Sequence, residues 1–276
     1  KKPGFGENLS YFFKFQINHM YFRYFMWNFA GKQNDMQSHG SITEGQWLSG
    51  ITFFDEWRLG PQENLPSGQA NNPGRNHFYM LPFILGMIGL FYHYKKNKKD
   101  AWIVNLLFIF TGLAIVVYLN QYPYQPRERD YAYVGSFYAF AIWIGLGVLA
   151  IIEKLRVYAP EKITALATTA LCLVAVPGIM ASEGWDDHNR SDRYTARDFA
   201  KAYLDSCEPD AILFTMGDND TFPLWYVQEV EGYRTDVRIV NLSLLNTDWY
   251  IDQMKRDAYE GKGVPFTMPH KLYRQG

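Results

Sequence analysis

The chain has 276 residues, a formal net charge of −1 and 48% hydrophobic residues. This charge balance lacks the basic excess of a nucleic-acid-binding protein, so we expect no nucleic-acid partner. The two cysteines, Cys172 and Cys207, lie in segments of different polarity and give neither a disulfide framework nor metal-ligand spacing.

Apolar and polar residues are segregated along the chain, which predicts three parts. We expect an interfacial helix and external loop over residues 1–77, and four transmembrane helices over residues 78–182. A small soluble α/β domain follows over residues 183–276. Because the chain begins without methionine and ends in a polar stretch, we interpret it as a piece of a longer protein, with the soluble domain incomplete at its C-terminus.

The first apolar stretch, residues 9–30, is too polar for a clean membrane span, because charged side chains are costly at the bilayer centre. Helical spacing predicts two polar stripes on opposite sides, one with Gln16, His19 and Arg23 and the other with Lys14, Asn18 and Asn28. This pattern predicts a helix lying in the membrane interface. One stripe would face either a polar cavity or the lipid headgroups.

A long polar connection, residues 32–77, follows this helix. It contains Gln33-Asn34-Asp35 and Phe54-Asp55-Glu56-Trp57. Aromatic rings beside carboxylates suit sugar binding, since a ring stacks on a pyranose while the carboxylates accept hydroxyl protons. The same residues also suit a loop that rests on the membrane interface.

Four apolar runs then reach or approach the roughly 20 residues that cross a bilayer. They are Phe78–Tyr94, Ala101–Leu119, Tyr131–Ile152 and Ile163–Ser182. Buried helices of a large soluble core are the alternative, and four such runs in succession favour the membrane.

The Lys-rich connections predict the orientation of these spans. The first connection holds Lys95, Lys96, Lys98 and Lys99, and the third holds Lys154, Arg156 and Lys162. Positive charge is retained on the cytoplasmic side. Residues 1–77, the loop around 120–130 and residues 183–276 would then lie on the opposite side. That side is periplasmic for a bacterial inner membrane, or luminal in a eukaryote.

A compact charged cluster, Gln125-Pro126-Arg127-Glu128-Arg129-Asp130-Tyr131, precedes the third span on that outer side. Guanidinium groups bind phosphate through two parallel hydrogen bonds. We therefore expect Arg127 and Arg129 to bind a lipid-linked phosphate or diphosphate, with Glu128 and Asp130 orienting them. Alternatively, the four charges neutralise one another and anchor the helix end.

The tail alternates between helix and strand, which predicts a parallel strand–helix–strand unit. The loops Gly217-Asp218-Asn219-Asp220 and Asn246-Thr247-Asp248 follow the predicted strands Ala211–Met216 and Val237–Leu245. Ligands bind at the carboxyl edge of such sheets, so these loops are candidates for a divalent cation or for acceptor hydroxyls.

The alternative is that these loop residues only form turns and cap helices. We expect Thr221 to cap the helix that follows, which runs to about Glu231. Another acidic cluster, Asp186-Asp187-His188, follows the last span, and we expect a solvated junction there.

Three segments resemble a family of large bacterial multi-pass proteins, common in Bacteroidetes, that is similar to eukaryotic transmembrane protein O-mannosyltransferases of the GT-C class. They are INHMYFRYFMWNFAGKQND (17–35), QPRERDYAYVGSFYAFAIWIGLG (125–147) and LFTMGDNDTFPLWYVQEVEGYRTDVRIVNLSLLNTDWYI (213–251).

This resemblance implies a glycosyltransferase that moves a mannose-like sugar from a polyprenyl-phosphate donor to a protein or glycan acceptor. The catalytic carboxylate of such enzymes lies in the first external loop, which we expect upstream of this chain. Arg127 and Arg129, followed by Arg23, are the implied donor-phosphate residues.

Two other functions are open at this point. One is a non-catalytic envelope assembly protein, whose tail docks partners. The other is a transporter of lipid-linked sugars, against which the uncharged spans 101–119 and 132–152 argue.

Overall fold

The structure is a computed structural model that describes residues 2–37, 39–124 and 129–274. The chain divides into two compact units, Lys1–Asn189 and Arg190–Gly276. The division lies beyond residue 182 because the end of the last long helix bonds back to the first unit. The Glu183 carboxylate accepts the His77 N–H at 2.9 Å.

The first unit opens with a continuous helical segment, which we call the entry helix. It consists of an α-helix Phe5–Tyr11, a π-helical stretch Phe12–Phe22 and an α-helix Arg23–Phe29. Of the two predicted polar stripes, the one with Gln16, His19 and Arg23 is buried, and the one with Lys14, Asn18 and Asn28 is exposed. The first stripe therefore faces protein.

The two ends of the long connection pair as short antiparallel strands, Gly31–Lys32 with Asn76–His77. Between them the connection contains the helices Thr52–Leu59 and Ser67–Ala70. Two polar residues hold its interior. The fully buried Asn34 accepts the Gly45 N–H at 2.7 Å. The buried Asp55 accepts the Ser49 N–H at 2.7 Å. These two predicted sugar contacts are therefore internal anchors of the loop.

Three helices are long and apolar enough to cross a membrane, which indicates an integral membrane protein. They are Lys98–Leu119, Asp130–Leu155 and Glu161–Gly184. The run predicted as the first span forms the helix Leu81–Lys96, which has 16 residues. It is too short to count with the other three, so the described residues contain three candidate spans where four were expected.

Two of the three long helices are irregular at positions that the sequence marks. Lys98–Leu119 consists of Lys98–Thr111 and Leu113–Leu119, which meet at Gly112. Glu161–Gly184 consists of Glu161–Leu173, a π turn Val174–Gly178 that contains Pro177, and Ile179–Gly184. Asp130–Leu155 begins with a 3₁₀ turn, Asp130–Tyr133, and continues as the α-helix Val134–Leu155.

Glycines bring the short helix Leu81–Lys96 into backbone contact with Val134–Leu155. A β-carbon on Gly89 would lie 1.7 Å from the Trp143 carbonyl oxygen, and one on Gly147 would lie 2.2 Å from that of Leu85. Small residues permit this close approach between membrane helices. At the far end of the pair, Lys96 Nζ lies 2.5 Å from Glu153 Oε1. The two helices therefore run parallel, and both Lys-rich connections lie at one end of the unit.

The second unit contains the parallel strands Ile212–Thr215 and Arg238–Asn241, in register from Ile212 opposite Arg238 to Thr215 opposite Asn241. The helix Asp218–Glu229 connects them. The remaining elements are the helices Thr195–Asp205 and Asp248–Met254 and the 3₁₀ turns Leu244–Asn246 and His270–Leu272.

The core of this unit is apolar with one buried polar network. Leu204 and Val227 are fully buried and pack together with Ile239. Thr221 is also fully buried, and its hydroxyl lies 2.7 Å from that of Thr215 and accepts from Asn241 Nδ2 at 2.8 Å. This network ties the connecting helix to both strands.

Candidate phosphate site

A cavity of about 540 Å³ lies between the entry helix and the long connection of the first unit. Its described lining contains no aspartate or glutamate. The basic and imidazole side chains that line it are Lys14, His19, Arg23, His39 and Arg58. We call this the cationic cavity. A cavity lined by cationic side chains is suited to an anion.

The entry helix contributes three of these groups, Lys14 from its exposed stripe and His19 and Arg23 from its buried stripe. The His19 ring stacks on Phe15, with ring centroids 5.2 Å apart. Arg23 is buried, and its Nε donates to the His19 carbonyl at 2.8 Å while Nη1 donates to the Gly45 carbonyl at 2.7 Å. Its guanidinium also lies 4.8 Å from the rings of Tyr24 and Trp27. Arg23 therefore holds the loop as well as lining the cavity.

Arg58 reaches the cavity from the helix Thr52–Leu59. Its guanidinium lies 3.9 Å from the Trp47 ring centroid, and Nη2 donates to the Trp47 carbonyl. Its Nε is buried and has no hydrogen-bond partner among the residues that the structure describes. Burial lowers the pKa of Arg58 to about 10, while the charge of Asp55 raises it. Arg58 therefore stays charged at neutral pH and has a donor to offer an anion.

The predicted arginine cluster is described only in part. Arg127 and Glu128 lie outside the described residues. Tyr124, which precedes the cluster, packs its ring edgewise on His39 of the cationic cavity at 5.2 Å. Arg129 is exposed, and Asp130 lines a second cavity. The structure thus brings Arg23 to the cationic cavity and places Asp130 elsewhere.

The second cavity, of about 530 Å³, lies beside the end of the last long helix. Lys32 Nζ lies 3.2 Å from Asp187 Oδ2, and these side chains are 17% and 8% exposed. The Trp27 ring lies 5.3 Å from the same ammonium group. The expectation of a solvated junction is therefore wrong for Asp187, because the returning chain buries this carboxylate against Lys32.

In the second unit, Asp220 caps a helix. Its carboxylate accepts the N–H groups of Met216 at 2.9 Å and Gly217 at 3.0 Å, and these bonds lower its pKa. The helix begins at Asp218, so the expectation that Thr221 caps it is wrong. Thr221 points into the core instead, where its hydroxyl bonds to Thr215 and Asn241.

The other residues of the predicted ligand loops lie at the carboxyl edge of the strands. Asp218 and Asn219 are exposed. The Asp248 carboxylate accepts the Trp249 N–H at 2.8 Å. The loops meet where the Ser243 hydroxyl donates to the Met216 carbonyl at 2.6 Å. No group of three or more His, Cys, Asp or Glu side chains among the described residues converges as a metal ion requires.

Sequence reasoning missed Arg58 and Lys32. Arg58 directly follows the aromatic–acidic motif at 54–57, and Lys32 directly precedes Gln33-Asn34-Asp35. Both motifs stand out in the sequence for their carboxylates, amides and rings. The cations beside these motifs could have pointed to both residues. Their partners, however, are Trp47 for Arg58 and Asp187 for Lys32, which lie 11 and 155 positions away in the sequence, so local patterns do not connect them.

A comparison with protein-family models bears on the second unit. Residues 196–276 match the family model described as TMEM260-associated domain 2. A stretch of 58 residues is 38% identical to the mouse protein O-mannosyl-transferase TMEM260, which covers 21% of this chain and 8% of that protein. No solved structure matches the chain. The chain thus aligns with less than a tenth of this relative's length, and these similarities relate it to protein O-mannosyltransferases.

Proposed function

We propose that this chain belongs to a membrane glycosyltransferase that moves a mannose-like sugar from a polyprenyl-phosphate donor to a protein or glycan acceptor. The cationic cavity is the observation that carries this proposal. Lys14, Arg23 and Arg58 line it, and no carboxylate does among the described lining residues. The relation to protein O-mannosyltransferases supports the same reaction class.

The position of the cavity supports transfer on the non-cytoplasmic side. The Tyr11 hydroxyl donates to the Gln121 carbonyl at 2.9 Å, and Gln16 donates to Asn120 at 2.8 Å. These contacts fix the entry helix at the end of Lys98–Leu119 that is opposite to both Lys-rich connections. By the positive-inside rule that end is external. We infer a bacterial inner-membrane protein with residues 1–77 and 183–276 in the periplasm and with Leu81–Lys96 as a fourth membrane helix.

The chemistry that we assign to this chain is charge stabilisation. In an inverting displacement, the acceptor oxygen bonds to the anomeric carbon while the bond from that carbon to the phosphate oxygen breaks. A carboxylate takes the acceptor proton. Arg58 and Arg23 would stabilise the charge that grows on the departing phosphate. We include Arg127 and Arg129 in this role, with Glu128 and Asp130 orienting them.

The acceptor would be bound by the loops at the carboxyl edge of the second unit. Asp218 and Asn219 are exposed there, and Asp248 begins the helix that follows the second strand. Asp220 contributes by holding the loop, since its carboxylate already accepts two N–H groups. Full activity and unchanged acceptor affinity after Asp218→Asn combined with Asp220→Asn would remove the loop from this proposal.

Binding of a polyprenyl phosphate to the purified chain in nanodiscs tests the donor site. Arg58→Gln and Arg23→Gln should each weaken binding about tenfold, because a hydrogen bond to a charged group contributes roughly 1.5–3 kcal/mol. The uncharged polyprenol should bind all variants equally, which separates headgroup recognition from tail partitioning. Lys95→Gln with Lys98→Gln, at the opposite end of the unit, is the matched control and should not change binding.

Transfer by the full-length protein from polyprenyl-phosphate mannose tests the reaction itself. Arg127→Ala and Arg129→Ala should each lower the rate, and unchanged rates for both would remove their assigned role. Phosphate-dependent lipid binding without any transfer would overturn the enzymatic proposal and favour the transporter or the assembly protein.

A further inference from the structure

The second unit has a groove beside the strand Arg238–Asn241. It encloses about 520 Å³, within the range of small-molecule sites. It lies where the strand Arg238–Asn241 begins, between the end of the helix Asp218–Glu229 and the segment that follows Asp248–Met254. We call it the aromatic groove.

Large aromatic rings line this groove and remain in contact with water. Trp249 is 54% exposed and Tyr259 is 66% exposed, and a third ring, Trp225, is partly buried at the wall. Each exposed ring is held by a neighbour. Trp249 packs edgewise on the buried Tyr250 at 5.5 Å, and the Tyr259 hydroxyl donates to the Glu229 carboxylate. The rings are thus fixed surfaces on which a flat ligand face can stack.

Polar groups are interleaved with the rings. Arg238 Nη2 donates to the carbonyls of Gln253 at 3.2 Å and Arg256 at 3.0 Å. Its Nε is buried and lacks a hydrogen-bond partner in the described part of the chain. The lining holds two arginines, Arg238 and Arg256, and two acids, Glu229 and Asp257. These formal charges cancel, so the groove favours a neutral ligand that both donates and accepts hydrogen bonds.

We propose that the aromatic groove binds a neutral oligosaccharide. Pyranose faces would stack on Trp249 and Tyr259, and sugar hydroxyls would donate to Glu229 and Asp257 and accept from Arg238 Nε. An extended peptide would instead need an open strand edge. In the strand Arg238–Asn241, the backbone N–H of Asn241 already donates to the Tyr250 hydroxyl at 2.9 Å, so it is not free to pair with a peptide. Sugar binding here does not depend on the proposed transfer reaction.

Saturation-transfer NMR on the detergent-solubilised chain, with linear mannotriose as the probe, tests this site. Manno-, gluco- and N-acetylglucosamine oligosaccharides serve as a panel. Trp249→Ala should weaken mannotriose binding about tenfold, and Trp249→Phe should restore part of it because a ring remains. Phe199→Ala, which removes an exposed ring from the same unit outside the groove, should leave the affinity unchanged. Arg238→Lys, which loses Nε, should weaken binding several-fold.

Thermal unfolding of each variant separates lost binding from lost folding. The proposal is overturned if no oligosaccharide of the panel binds at about 10 mM, a concentration at which even millimolar affinity would be detected. It is also overturned if Trp249→Ala and Phe199→Ala have equal affinity. A third refuting result is saturation transfer to an unglycosylated peptide, lost in Trp249→Ala, at concentrations where no sugar receives it.

Discussion

Replacing Gly89 with alanine should separate the two helices that organise the first unit. The added methyl carbon would lie 1.7 Å from the Trp143 carbonyl oxygen, whereas ordinary contact begins at 3.4 Å. A flexible side chain could move away, but a helix backbone cannot move without its neighbours. The helix Leu81–Lys96 would therefore have to move outward along much of its contact with Val134–Leu155.

The expected magnitude is a balance of two effects. Overpacking a close contact costs about 1–3 kcal/mol. Alanine improves helix propensity over glycine by about 1 kcal/mol. We therefore expect Gly89→Ala to lower the free energy of unfolding by up to about 2 kcal/mol. Gly145 lies on the second helix, and a β-carbon there would meet no atom within 4 Å, so Gly145→Ala should be neutral or stabilising by up to about 1 kcal/mol.

Equilibrium unfolding of the detergent-solubilised chain, followed by tryptophan fluorescence, measures both variants. Gly147→Ala should behave like Gly89→Ala, because its β-carbon would meet the Leu85 carbonyl oxygen at 2.2 Å. Equal stability of Gly89→Ala and Gly145→Ala would contradict the close packing of these helices and, with it, the common end of the two Lys-rich connections.

Three further predictions concern charged groups. Asp220→Ala should destabilise the second unit by about 1 kcal/mol at pH 7, as for other lost helix caps, while Asp218→Ala should change its stability little. The native pKa of Asp220 is lowered, so denaturation curves should show the stability difference between wild type and Asp220→Ala vanish as pH falls through that pKa. Arg234 lowers the pKa of Asp236 to about 2, so this pair should stabilise the fold above about pH 4 and lose its contribution toward pH 2, and Arg234→Ala should flatten that acid limb in circular dichroism titrations. Lys32→Met and Asp187→Asn should each destabilise the first unit, and a double-mutant cycle should give a coupling energy of about 1–3 kcal/mol. If the two destabilisations simply add in the double variant, the contact between these side chains is unimportant.

Local patterns in the sequence predict the elements of this fold well. Long apolar runs yield the three long helices, and alternation of helix and strand signals in the tail yields two strands that pair in parallel. The stripe of Gln16, His19 and Arg23 is visible because its spacing matches one turn of a helix. Element boundaries shift by a few residues, as at Asp218, where the helix capped by the Asp220 carboxylate begins one turn before the predicted Thr221.

Composition and the spacing of apolar residues are enough to predict a helical membrane part, an attached α/β unit and the polar stripes of the entry helix, because these features are local. The shared cavity of Arg58 and Arg23 and the burial of Asp187 against Lys32 depend on the folded chain. The same is true of the groove that Trp249 shares with Arg238 and Tyr259. Contacts between distant residues depend on how helices pack and loops return, and no local spacing encodes them.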